Sequence, residues 1–318
     1  MTPAQLRVFA AIARHGSSRE AAGELGVSEA AVSGHVSSLR KELGDELFTR
    51  SGSGISFTPG GLRLASRAVE MLGLQDQTMH EVRAAGDGQR ILRIAVSSLF
   101  GEVAAPGLIE LFSTRADDLQ VEMSVSAPDQ FPRLLASRAV DVTMGPTPQS
   151  DPASIRVKEF LRYQMIGVVG RSHPLAGRSA DQRQLAQQTW LLGPSAVDST
   201  SVACRMLRRF GVPESNQRIF QNHAAPLAEA EAGNGVALCA AHSVTGQLAD
   251  GRSFRLSAPG FNTDGIWAAS WLRHEATSPL VNELVRFTST PRAIQAMLTG
   301  SGTNIARFKP RVHVTLWS

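Results

Sequence analysis

The stretch from Ser28 to Leu39 reads SEAAVSGHVSSL, one carboxylate and one imidazole set among alanine, serine and glycine. Small side chains at the start of a helix let its backbone approach a base-pair edge or a phosphate, so Ala30, Ser33 and Gly34 suit a helix lying in a DNA major groove. Ser28 and Ser33 can donate to phosphate or base. Glu29 can accept from a cytosine amino group, Ala30 can meet a thymine methyl, and His35 can reach either kind of acceptor. The same spacing also describes an exposed helix of a small bundle.

The elements that position this stretch are legible around it. Thr2 caps a first helix with Pro3 at its first position and Gln5 closing a capping box; Leu6, Phe9, Ala10, Ile12 and Ala13 form its apolar stripe, and His15-Gly16 ends it. Ser17 caps a second helix that turns Ala21, Ala22 and Leu25 inward and stops at Gly26. Ser28 caps a third, running to about Leu43, with Ala31, Val32, Val36, Leu39 and Leu43 expected inward. Two short helices around a glycine turn make a helix-turn-helix candidate. LFTR and ISFT flank SGSG as a small hairpin or wing, and place Arg50, Ser51 and Ser53 against DNA backbone or minor groove. Thr58-Pro59 opens a helix expected to reach about Ala85, its sparse apolar positions Leu62, Ala65, Val69, Leu72 and Met79 fitting a pairing with a second copy. AGDG, residues 85–88, reads as a hinge.

From Ile91 strands alternate with helices in two successive sets joined near residue 160, the pattern of a parallel α/β sheet in two lobes with a cleft between. Ser97 and Ser98 fall between a strand and a helix, where hydroxyls and helix N-terminus together can hold an anion. Thr143, at the end of VDVTM, and Ser199, Thr200 and Ser201, at the start of another helix, are expected to face the same cleft, with Asn222 and His223 at its rim. Each such serine or threonine is equally a helix cap. VHVTLW in the tail reads as an extra edge strand.

The totals exclude several classes. The 318 residues, 42% hydrophobic, suffice for two or three folding units. No apolar run approaches the length of a membrane span, and MTPAQLRVF opens directly into a helix pattern, so a cytoplasmic location is expected. The pI is about 9.7, yet residues 1–88 hold nine basic against ten acidic side chains, and the excess, 23 against 18, lies beyond them. Net charge therefore does not single out the helix-turn-helix. Cys204 and Cys239 have neither disulfide-framework nor zinc spacing; AGNGVAL lacks the dinucleotide fingerprint, and the histidines stand without HExxH or carboxylate partners. No metal, cofactor or assembled nucleophile and base is expected.

The segment Leu6 to Leu62 carries the frame SxxxAAxxLxxSxxAVSxxVxxLxxxLGxxLFxR followed by Thr-Pro and a glycine. It resembles the N-terminal domain of LysR-type transcriptional regulators, and RSHPLAG and AEAGNGVAL extend the likeness through the chain. The resemblance implies an α/β protein with an N-terminal winged helix-turn-helix (residues 1–58), a long linker and dimerisation helix with its hinge (59–88), a two-lobed periplasmic-binding-protein-like α/β effector domain (89–300) and a tail (301–318). It implies double-stranded promoter DNA, a small co-inducer and RNA polymerase as partners, a homodimer or dimer of dimers, no membrane, and ligand contacts at the first strand-to-helix loop, which matches Ser97 and Ser98. Glu29-Ala30 and Gly34-His35 depart from the residues usual at those positions, so operator preference is expected to reside there, and a carboxylate metabolite is the expected effector. Alternatives are a metabolite receptor of periplasmic-binding type and a redox sensor through Cys204 and Cys239, although the family's peroxide sensors keep their cysteines in one segment.

Overall fold

The computed structural model describes residues 1–51, 54–86, 88–149, 153–258, 263–273 and 278–299. The chain divides into two compact units, one of Met1–Gly88 with Ala136–Ala139, the other of the remaining residues.

The first unit contains helices α1 (Pro3–His15), α2 (Ser18–Leu25), α3 (Glu29–Leu43) and α4 (Pro59–Gly86), with strands β1 (Phe48–Ser51) and β2 (Gly54–Phe57). The expected caps form: the Thr2 side chain accepts from the Gln5 N–H in a complete capping box, Ser17 accepts from Glu20, and Ser28 from Ala31. The turn between α2 and α3 needs a left-handed residue, which Gly26 supplies at φ 63°. Phe9, Phe48 and Phe57 meet pairwise with centroids 5.9 to 6.2 Å apart, joining the helices to the antiparallel β1–β2 hairpin. Val32, Val36 and Leu39 are the buried row of α3. Ala31 and Leu43, expected inward, are exposed: Ala31 lies a 100° step round from Val32, and Leu43 falls in the last turn, beyond the buried row.

The α4 start is held by a local lock. Thr58 Oγ1 donates to Asp45 Oδ1 at 2.6 Å and accepts from the Gly61 N–H at 2.9 Å; the same Asp45 oxygen takes the Leu47 N–H. These bonds, the Thr58 hydroxyl first, hold the Asp45 carboxyl below its ordinary range. A Cβ at Gly61 would lie 1.8 Å from the Leu47 carbonyl oxygen, which explains the glycines after Thr58-Pro59. Ala68 packs on Leu6 and Ala10 of α1. The helix continues through Gly86, past the expected hinge start at Ala85; Asp87 lies outside the described residues.

The second unit is built on one nine-stranded sheet. Its first half comes from β3 (Arg90–Val96), α5 (Ser98–Val103), α6 (Ala105–Ser113), β4 (Leu119–Val125), α7 (Phe131–Ala136) and β5 (Val142–Pro146). Strand β6 (Ile155–Gly170) follows. The second half comprises α8 (Gln182–Ala186), β7 (Trp190–Leu192), α9 (Val202–Phe210), β8 (Gln217–Ile219), α10 (Ala225–Glu231), β9 (Val236–Ala240), α11 (Thr245–Ala249) and β10 (Ser253–Arg255). Strand β11 (Thr263–Leu272) and helices α12 (Pro279–Phe287) and α13 (Pro291–Thr299) end the described chain.

The order β4-β3-β5-β11-β6-β9-β7-β8, with β10 beside β6, corrects the expectation of a wholly parallel sheet. Strands are parallel within β4-β3-β5 and within β9-β7-β8, as short strand-helix-strand units require. The long β6 and β11 run antiparallel to each other and, respectively, to β9 and β5. The expected joint near residue 160 is therefore the interior of a sixteen-residue strand. Trp190, Trp267, Phe100 and Phe112 are fully buried in the principal core.

Candidate DNA-reading helix and effector cavity

On α3 the residues that could touch DNA are available. Ser28, Glu29, Ala30, Ser33 and Gly34 are exposed and His35 is half-buried. Ser28 Oγ already accepts from the Ala31 N–H at 3.2 Å, so its hydroxyl proton remains for an outside acceptor. A Cβ built on Gly34 meets nothing within 4 Å, so this glycine has no packing reason among the described residues. Glu29 stands at the first helical position, where the helix dipole favours a carboxylate, with Arg19 Nε 4.0 Å away. Arg19 on α2 is a cation beside the candidate surface that spacing alone did not single out; its place two residues after the Ser17 cap was the available signal. Arg40, by contrast, is a structural clamp. Its guanidinium donates to the Glu46 and Phe48 carbonyls at 2.7 and 2.6 Å and lies over the Phe48 ring at 4.9 Å. Ser53 and the side chains of Arg50 and Ser51 lie outside the described residues, as does the tail in which an edge strand was expected.

The second unit contains a cavity of about 690 Å³, within the usual range for a small-molecule site. It opens where parallel strands end. Ser97 follows β3, Ser126 follows β4, Thr147 follows β5, and Ser195 lies three residues past β7. Ligands in open α/β sheets bind outside such carboxyl ends. The walls also contain Trp267, whose ring stacks on Tyr163 with centroids 4.2 Å apart and planes 17° apart. Burial pushes the Tyr163 hydroxyl up to about 12, so it stays protonated.

Ser97, Ser98, Ser199 and Thr200 all border this cavity. Ser97 is buried and its Oγ has no hydrogen-bond partner among the described residues, a cost of about 1–3 kcal/mol for a buried polar group unless something in the cavity meets it. It does not cap α5. Three expected residues are not in the lining. Thr143 stops short because β5 continues to Pro146, and its hydroxyl lies 3.4 Å from the Ser270 carbonyl oxygen. Asn222 is spent as a cap: its Oδ1 accepts from the Ala224 and Ala225 N–H groups at the start of α10. His223 lies behind Ser195, with Nε2 2.9 Å from Ser195 Oγ and Nδ1 2.9 Å from Glu102 Oε1.

Ser195 and Asp198, both in the cavity wall, escaped the sequence reading. The signal was present: Gly193-Pro194-Ser195 follows a buried apolar triplet, the position at which a strand's carboxyl end presents its next side chains. Glu102 escaped too, because nothing in its spacing to His223 reveals that they meet.

Both cysteines are free, Cys204 half-buried on α9 and Cys239 buried on β9. Burial pushes the Cys239 thiol up to about 12, leaving little of the thiolate that oxidation requires.

Residues 3–62 match the family model described as bacterial regulatory helix-turn-helix protein, lysR family, and residues 85–290 match LysR substrate binding domain. The HTH-type transcriptional regulator Rv0377 of Mycobacterium tuberculosis is 54% identical over 321 residues, covering 100% of both chains. The RuBisCO operon transcriptional regulator of Allochromatium vinosum is 27% identical over 294 residues, covering 91% of this chain and 96% of that one. The crystal structure of full-length CbnR complexed with its target DNA superposes with a TM-score of 0.54 at 21% identity, covering 91% of this chain and 100% of that one.

Proposed function

The chain belongs to the LysR family of DNA-binding transcriptional regulators and is not an enzyme; from that premise we propose that α3 reads its operator and that a small effector in the cavity of the second unit modulates promoter binding. For the effector, the supporting observation is the buried Ser97 hydroxyl that borders the cavity without a partner. A carboxylate effector places one oxygen on this hydroxyl, with Ser98 beside it, and so removes the penalty. Calorimetric titration of the full chain with a panel of acidic metabolites tests this class. Heat that disappears in Ser97→Ala supports it, and the absence of heat with every acid rejects it.

For the operator, Ser28, Glu29, Ala30, Ser33, Gly34 and His35 form the reading surface, with Arg50 and Ser53 contributing from the wing. Glu29 repels phosphate while accepting from a base, so it narrows sequence choice at some cost in affinity. Glu29→Gln should change the preferred base at one operator position by about 1–3 kcal/mol of discrimination. Selection from a random DNA library reads this out, and an unchanged consensus rejects the assignment.

The exposed apolar residues of α4, Met71, Leu74, Met79 and Val82, support pairing of that helix with a second copy in a cytoplasmic dimer or dimer of dimers. Polymerase contact belongs to the same proposal.

A further inference from the structure

The hydroxyls of the cavity wall can be sorted by where each sends its proton. Glu102 Oε1 is 2.9 Å from His223 Nδ1, and Glu102 Oε2 accepts the His223 backbone N–H at 2.7 Å. A carboxylate only accepts, so Nδ1 bears the proton facing it; a neutral ring then presents a lone pair at Nε2. To such a neutral ring Ser195 Oγ, 2.9 Å from Nε2, donates. Gly193 allows the ring this place, since a Cβ there would lie 2.3 Å from the imidazole, and the His223 side chain is only 6% exposed. Ser195 therefore has only acceptor lone pairs left for the cavity.

Its neighbours have the same polarity. Thr200 Oγ1 donates to Asp198 Oδ1 at 2.7 Å, and the Thr200 N–H goes to the same oxygen at 2.8 Å. Asp198 Oδ2 remains as an acceptor. Ser195, Asp198 and Thr200 all border the cavity, with Ser199 between them as a neutral hydroxyl, and among the described lining residues there is no lysine, arginine or histidine.

We infer that Ser195, Asp198 and Thr200 form an acceptor-rich arc that selects the effector by its hydrogen-bond donors, so that an ammonium, amide or hydroxyl group meets this wall. The inference rests on the cavity being the effector site, and adds the chemistry of the effector's other end. A group that accepts at Ser97 and a group that donates at the arc describe one bifunctional small molecule. A second carboxylate at the arc would face Asp198 with only neutral donors such as the Ser199 hydroxyl beside it, an arrangement that like charges in a cavity tolerate poorly.

Five probes of one ring size separate these ideas by calorimetry on the full chain at pH 8.5: benzoate, 4-(hydroxymethyl)benzoate, 4-(aminomethyl)benzoate, terephthalate and benzylamine. The hydroxymethyl and aminomethyl acids should bind about tenfold more tightly than terephthalate, the scale of one hydrogen bond made or lost. Ser195→Ala should shrink that margin about threefold or more. Terephthalate binding as tightly as the alcohol, or a margin unchanged in Ser195→Ala, overturns the arc. Binding by benzylamine but not benzoate removes the carboxylate from the Ser97 end and leaves the arc standing. Heat from none of the five rejects the effector-cavity reading, and the arc with it. A ligand-free measurement is independent of all of these: nitrogen-15 spectra of the histidine side chains should show His223 protonated at Nδ1 alone, and a proton on Nε2 overturns the assignment.

Discussion

The two units solve the problem of presenting polar groups in opposite ways. Around α3 the candidate contacts are six residues within the stretch 28–35, mostly exposed, with few internal partners. In the cavity they come from the ends of several strands, from Ser97 to Ser270, and many of their hydroxyls are already engaged inside the protein. A groove-reading helix meets a partner that brings its own dense donors and acceptors, so free side chains suffice. A cavity must reject close analogues, and committing some hydroxyl protons beforehand makes its polarity selective.

The cores differ in scale as well, and the largest expected effect exploits this. Phe9→Ala removes the ring that joins Phe48 and Phe57 and should cost about 3–5 kcal/mol, most of the stability a small core supplies. Urea unfolding followed by circular dichroism should show one early transition move while a second, from the larger unit, stays in place. A single transition moving as a whole would erase the distinction between the units. Next comes Gly61→Ala, whose Cβ must displace the Leu47 carbonyl; a loss of about 1–3 kcal/mol is expected by overpacking. Gly34→Ala is its opposite. With open space around the added methyl, thermal unfolding should show a gain of up to about 1 kcal/mol from helix propensity, while a gel-shift assay shows weaker operator binding. Gain without loss of binding would mean that α3 does not need close approach at this point.

The smallest effect is electrostatic. A hydrogen bond from His15 holds the Glu24 carboxyl below the ordinary glutamate range, with Arg14 adding to it. A carboxyl lowered on folding stabilises the native state above its unfolded pKa and loses that contribution as pH falls through the folded one. Melting temperatures of the chain should therefore fall below about pH 4.5, and Glu24→Gln should flatten that part of the profile.

The first unit was largely legible because its signals are local. A cap, a periodic stripe and a terminating glycine sit within one helix of each other, so Thr2 to His15, Ser17 to Gly26 and the Ser28 cap follow from adjacent residues. Ala31 and Leu43 were misplaced because periodicity gives a face and not its width. In the second unit the strand-helix alternation was readable, and so was the place of Ser97 and Ser98 after the first strand. Thr143 was misplaced by a strand end three residues further on. Asn222 and His223, expected near the rim, are absent from the lining because neighbouring backbone and a distant carboxylate engage them.

The residue order thus settled the local matters: family frame, caps, turns, and which helix exposes small residues. Tertiary structure decided the sheet's antiparallel centre, the unpartnered Ser97 hydroxyl and the meeting of Glu102 with His223 across 121 positions. The physical reason is one of range. Capping and periodicity act within a few residues, whereas the polarity of a cavity hydroxyl depends on which acceptor the fold brings against it, and that acceptor can come from anywhere in the chain.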